Sequence, residues 1–186
     1  MRIRRLLYLA AWLLVVTCAP AGAQDSGKVG ATIAYPGSIG LIWHASDSVA
    51  IRPAFAFAHS DSEISPGSSE NESTTIALDL GVLFYVKKYD NVRTYVSPRF
   101  IYSRSTSTST QTALPVGLPE ITTTSTTTGG AGVFGAQYAP TKRFSVFGEV
   151  GIAFNHRHST SEPTGASEFT TNTWGTTSGV GVIFYF

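Results

Sequence analysis

The chain has 186 residues, a formal net charge of +1, 42% hydrophobic residues and 13% charged ones. So many apolar residues with so little charge exclude a disordered chain, and the lack of a basic excess excludes a nucleic-acid binder. By length it holds one folded domain.

The first segment is a leader. Met1-Arg2-Ile3-Arg4-Arg5 is basic, Leu6 to Val16 is an apolar run, and Ala21-Gly22-Ala23 is a small-x-small cleavage site before Gln24. This predicts a signal peptide over 1–23 and a mature domain over 24–186. The apolar run is short of the about 20 residues a spanning helix needs. Cys18 is the single cysteine and follows Thr17, bulkier than the small residue that precedes a lipidated cysteine, so it leaves with the leader. The mature chain then has neither a disulfide framework nor thiol chemistry.

After the leader the apolar residues recur with period two rather than with the helical period. Lys28 to Tyr35 and Ile39 to Ala45 form a first hairpin around Pro36-Gly37-Ser38. From Ile76 to Val86 the even positions are Ile76, Leu78, Leu80, Val82, Phe84 and Val86, against Ala77, Asp79, Gly81, Leu83 and Tyr85. From Val92 to Tyr102 the odd set carries Arg93, Tyr95, Ser97 and Arg99. Phe144, Val146, Val150, Ile152 and Phe154 face away from Ser145, Glu149, Gly151 and Ala153, and the last strand carries Val180, Val182, Phe184 and Phe186 on one side. The predicted strands are 28–35, 39–46, 49–61, 73–88, 92–106, 123–139, 143–158 and 170–186. One face is apolar and the other is small or charged, which suits a narrow interior rather than the outer face of a soluble sheet.

The connections alternate in length. Residues 45–48, 88–91 and 139–142 read as tight turns, while 63–73, 106–123 and 159–170 read as long loops rich in Ser, Thr, Pro and Gly, as in barrels with periplasmic turns and external loops. Tyr35, Trp43, Phe84, Tyr102, Tyr138, Phe144 and Trp174 lie where aromatic girdles are expected. The first hairpin is short for a tilted crossing, so its external turn is expected almost flush with the membrane.

The signal peptide, the eight alternating segments and the terminal Phe186 preceded by Phe184, Val182 and Val180 resemble the small outer-membrane beta-barrel superfamily that includes the outer-membrane protein A transmembrane domain and outer-membrane protein X. The resemblance covers the whole mature chain. It implies an all-β fold, an eight-stranded antiparallel up-and-down transmembrane barrel, in the bacterial outer membrane. It also implies delivery by periplasmic chaperones and the barrel-assembly machinery, with Phe184 and Phe186 in the assembly signal. No peptidoglycan-binding domain is expected after the barrel.

An eight-stranded barrel holds little more than side chains, which argues against a general porin. Arg52, Asp79, Arg93, Arg99 and Glu149 are expected to meet in the lumen as an ionic network, because buried charges require partners. That network reads either as a plug or as the path of a narrow channel or small-solute carrier. His59, His156 and His158 fall near external strand ends, and His156-x-His158 puts two imidazoles on one face, with no carboxylate or cysteine fixed beside them. No serine stands in a nucleophile motif, so no enzyme activity, catalytic residue, cofactor or metal site is expected. The runs Ser103 to Thr110 and Thr122 to Thr128 are β-competent and could extend strands five and six as a polar ribbon, either a solvated hairpin tip or an edge offered to a partner strand. The expected partners are outer-membrane lipid and the assembly factors, with an external protein through loops 63–73 and 106–123, no nucleic acid, and a monomeric state. The leading function is a structural or surface-interaction barrel.

Overall fold

The computed structural model describes residues 27–64, 69–111, 120–162 and 167–186; the expected signal peptide, with Cys18, lies outside them. Eight strands run in chain order: β1 Val29–Tyr35, β2 Ser38–His44, β3 Val49–Ile64, β4 Ser69–Tyr89, β5 Val92–Gln111, β6 Ile121–Thr141, β7 Phe144–Glu162 and β8 Ser167–Tyr185. Each pairs antiparallel with its neighbours, and β8 returns to β1 to close the ring. Closure pairs both edges of β8 over Val180 to Phe184, which the last strand of an open sheet would not achieve.

The pairing fixes the tilt. Paired positions lead from Thr32 through Gly40, Ala54, Asp79, Ile101, Gly129 and Asn155 to Thr173, whereas Thr32 itself pairs with Ile183. The offset of ten residues between Thr173 and Ile183 is the stagger of the ring, and a staggered ring inclines its strands by about 40°.

Alternation sorts the side chains as the period-two pattern requires. Leu41, Phe55, Leu78, Leu80, Phe100, Phe134, Val150, Ile152 and Val180 point outward and exposed, an apolar wall. The expected girdle residues Tyr35, Trp43, Tyr138 and Trp174 are on that wall too. The inward face departs from expectation, because it is not built of small residues alone. Ile42, Leu83, Tyr85, Tyr95, Phe147, Ile183 and Tyr185 are buried together toward the end carrying the short turns. Glycines make the room. A Cβ at Gly135 would run into the Tyr95 ring, and one at Gly181 would lie 2.5 Å from Phe147 Cζ. Each fully buried Leu or Ile contributes about 1.5–3 kcal/mol.

Two prolines leave local gaps in the ladders. Neither Pro53 nor Pro98 has an N–H to donate. The β2–β3 pairing lapses between Gly40–Ala54 and Trp43–Ile51, and the β4–β5 pairing lapses between Gly81–Arg99 and Phe84–Val96.

The strands β3 to β8 run further toward the loop end than the sequence reading has them. Residues of the expected loops 63–73, 106–123 and 159–170 lie instead in paired strand, for example Glu63 with Glu70, Ser107 with Thr123 and Ser161 with Ser167. Thr and Ser tolerate extended backbone, and hydroxyl pairs such as Thr75–Ser105 at 2.9 Å and Ser125–Ser159 at 2.7 Å link neighbouring strands. A second correction concerns the Ser/Thr ribbon. β5 and β6 pair with each other and, along the same tracts, with β4 and β7, so they offer no edge. The short first hairpin stays short: it turns at Pro36-Gly37, with a cis Tyr35–Pro36 bond and Gly37 at φ 76°. The wall is therefore low at β1 and β2 and high everywhere else.

Candidate functional site

The lumen is the place where polar chemistry is concentrated. Arg52 on β3, Asp79 on β4, Arg99 on β5 and Glu149 on β7 all occupy inward positions, and the register raises them to similar height. Glu149 is the centre. Arg52 Nη2 donates to its Oε1 at 2.5 Å, Arg99 Nη2 donates to its Oε2, and Tyr95 Oη donates to Oε1 at 2.7 Å. Asp79 Oδ2 lies 3.7 Å from Arg99 Nη1. The Arg52 guanidinium also lies over the Phe147 ring, 4.6 Å from its centroid. Two guanidinium groups thus face two carboxylates, and the Glu149 and Arg52 side chains are almost fully buried. Burying charges is tolerable only with this degree of pairing.

Four of the five lumen charges named from the sequence come together. Arg93 stands apart, nearer the turn end, with its guanidinium 5.7 Å from the Tyr85 ring centroid. Its inward parity is right, but its position along β5 is too low to reach Glu149.

Below the ion cluster lies a hydrogen-bonded layer that sequence reading missed. Tyr85 Oη donates to Gln137 Oε1 at 3.0 Å, and Gln137 Nε2 donates to Tyr185 Oη at 2.9 Å. Tyr185 Oη is also 3.1 Å from His44 Nε2, and His44 stacks on Tyr85 with centroids 5.6 Å apart. These residues come from β2, β4, β6 and β8, and no spacing along the chain links them. The one signal was parity, since each stands on the inward face of its own strand.

The two layers divide the lumen. On the turn side is a cavity of about 420 Å³ bordered by Lys28, Lys88, Arg93, Gln137 and Lys142. On the loop side is one of about 230 Å³ whose floor is Arg52, Asp79, Arg99 and Glu149. Above it the inward positions carry hydroxyls, among them Thr75, Ser105, Thr123, Ser125, Ser159 and Ser161.

His59, His156 and His158 are on the outside of the barrel wall. His156 Nδ1 is 2.7 Å from Asn172 Oδ1 and His158 Nδ1 is 3.3 Å from Thr170 Oγ1. His59 instead shares a spot with Asp61 and Glu72, their ligand atoms all within 4.8 Å of one another. Pairing of Asp61 with Glu72 across β3 and β4 creates this trio, which separation along the chain had hidden. All three are exposed, and exposed acidic groups gather in this way without an ion.

Solved structures with the same fold include a major outer membrane protein from Thermus thermophilus, at 14% identity and a TM-score of 0.52, covering 86% of this chain and 98% of that one. Acinetobacter baumannii CarO matches at 14% identity and a TM-score of 0.46, covering 87% of this chain and 98% of that one. Ail, the attachment invasion locus protein of Yersinia pestis, matches at 12% identity and a TM-score of 0.42, covering 86% and 94%. Among curated proteins, none matches. The outer membrane protein beta-barrel domain matches residues 9–186, the whole described barrel with its closed ring and outward apolar wall, and this chain belongs to that family of outer-membrane barrels.

Proposed function

We propose that the chain is a closed-lumen barrel of the outer membrane with a structural or surface-interaction role. The observation that carries the reading is the pairing of Arg52 and Arg99 on one carboxylate, Glu149, stacked on the Tyr85, Gln137, Tyr185 and His44 layer. Two side-chain layers across a ring of eight strands support a closed lumen, since a barrel of this size has room for little more than side chains. Export by the signal peptide over 1–23, and handling by chaperones and the assembly machinery through Phe184 and Phe186, belong to the same reading. So does the lack of enzyme activity.

Surface interaction would use the tall side of the barrel. Six strands rise beyond the β1–β2 turn with exposed Glu72, Arg104, His156, His158 and Glu168 on their outer face. Among the described residues, the edges available to a partner strand are those of β3 over 56–64 and β8 over 167–179, not the Ser/Thr tracts themselves. The rival reading, a narrow channel or small-solute carrier, draws on the two cavities on either side of the charged layer. Planar-bilayer recording separates them. A silent wild type that acquires discrete openings in Arg52→Ala/Glu149→Ala supports the plug, and wild-type conductance that depends on those charges supports the channel.

A further inference from the structure

The outward face of the β3–β4 ladder changes character abruptly at the loop end. Phe57 and Ile76 are its last apolar pair, and the outward pairs that follow are His59–Thr74, Asp61–Glu72 and Glu63–Glu70. Two successive pairs set carboxylate directly opposite carboxylate, an arrangement that destabilises a ladder. Among the described residues, no Lys or Arg is paired into these rows to offset it. Glu72 and Glu70 pair on their other side with Thr108 and Thr110, and Arg104 stands opposite Ile76, about 13 Å down β5 from Thr108. On its far side β3 has no paired strand here. Four carboxylates on about 7 Å of ladder therefore favour a positive charge from outside the chain.

His59 separates this column from a plain acidic patch. Its Nδ1 is 3.0 Å from Thr74 Oγ1, and its Nε2 is 3.3 Å from Asp61 Oδ1. With the proton on Nδ1 donated to Thr74, the ring is held in place and Nε2 turns its lone pair to the Asp61 carboxylate. Two lone pairs then face each other, and a cation between them satisfies both. In a tetrahedral site with bonds of about 2.0–2.1 Å, two ligand atoms are about 3.3–3.4 Å apart, so His59 and Asp61 already span one edge of such a site. Glu72 completes the trio, all three ligand atoms lying within 4.8 Å of one another, and its exposed side chain is free to close the remaining distance. A neutral imidazole and two carboxylates carry two negative charges, which one divalent cation neutralises. The nitrogen donor selects a cation of the Zn²⁺ type over Ca²⁺ or Mg²⁺, which take oxygen ligands.

We propose that His59 Nε2, Asp61 and Glu72 bind a divalent transition cation of the Zn²⁺ class on the outer surface of the barrel. Glu63 and Glu70 add attraction from the next outward pair. The ion ties β3 to β4 just above the apolar wall, where β3 is paired on that side alone.

The test is a titration of the untagged barrel, refolded in nanodiscs of zwitterionic lipid, with Zn²⁺ and separately with Ca²⁺, read by calorimetry and by amide NMR. One Zn²⁺ per chain is expected to bind saturably and to shift His59, Asp61, Glu72 and Thr74. His59→Ala and the double variant Asp61→Asn/Glu72→Gln are each expected to weaken binding by at least the roughly tenfold that loss of even a supporting group costs. All three side chains are exposed, so the heat-dependent gel shift of a folded barrel is expected to persist in both. His156→Ala/His158→Ala, which removes the other imidazole pair on the outer face, is expected to leave Zn²⁺ affinity unchanged. Zn²⁺ affinity unaffected by His59→Ala, binding lost with the β7 histidines, equal affinity for Ca²⁺, or no saturable binding would each overturn the site.

Discussion

Arg52 and Glu149, 97 residues apart in the chain, meet across the lumen at 2.5 Å, with Arg52 on β3 and Glu149 on β7. Neither strand pairs with the other, so this contact braces the ring across its diameter rather than along its wall. A carboxylate that accepts from Arg52, Arg99 and Tyr95 ties β3 and β5 to β7.

Removing that carboxylate leaves the buried Arg52 guanidinium without an ion-pair partner among the described residues and Arg99 with Asp79 alone. Glu149→Ala is expected to destabilise the barrel by about 3–5 kcal/mol, the usual cost of breaking a buried pair from one side. Urea unfolding in lipid vesicles, followed by tryptophan fluorescence, measures it. An unchanged midpoint would show that the cluster does not brace the fold.

Tyr95→Phe deletes one hydroxyl that donates to Glu149 and leaves the ring in place. A hydrogen bond to a charged group contributes about 1.5–3 kcal/mol, and that loss is expected in the same unfolding assay. In the Glu149→Ala background the substitution should cost much less, since its acceptor is gone, so the double-mutant cycle reports the coupling directly.

Gly135→Ala tests the packing of the interior around Tyr95. The added methyl meets the Tyr95 ring, and overpacking of this kind costs about 1–3 kcal/mol. Gly132→Ala is the matched control on the same strand, because nothing lies within 4 Å of a Cβ there. Similar losses at both positions would mean that the cost comes from the backbone rather than from the ring.

Hydrogen exchange distinguishes the open edges from the paired arms. In β8 over 167–173, beyond the apolar band, amides facing away from β7 are expected to exchange fast, whereas those of β5 and β6 along the Ser/Thr tracts are expected to be protected on both sides. Uniform protection in β8 would place another strand against that edge.

Much of the barrel was legible in the chain because side-chain parity is a local property of extended backbone. Alternation at 76–86, 92–102 and 144–154 separated wall from lumen, and tight turns near 45–48, 88–91 and 139–142 set the strand count. Parity also put Arg52, Asp79, Arg99 and Glu149 on the inward face. It carried no height. Whether two inward residues meet depends on the stagger accumulated around eight strands, a property of the closed ring, and so Arg93 was grouped with a cluster it does not reach. The same stagger brings His44, Tyr85, Gln137 and Tyr185 into one layer and Asp61 beside Glu72, pairings that lie beyond any local pattern.

The amino-acid sequence alone determined the outer-membrane barrel class, the eight strands and which residues face inward, since period-two burial and turn chemistry act within a few residues of each position. Tertiary structure alone decided how far β3 to β8 rise, which charges meet on Glu149, and that the wall opens between β3 and β8. Those outcomes depend on pairing between distant strands, where ladder hydrogen bonds and the ring's offset, not local propensity, select one register from many.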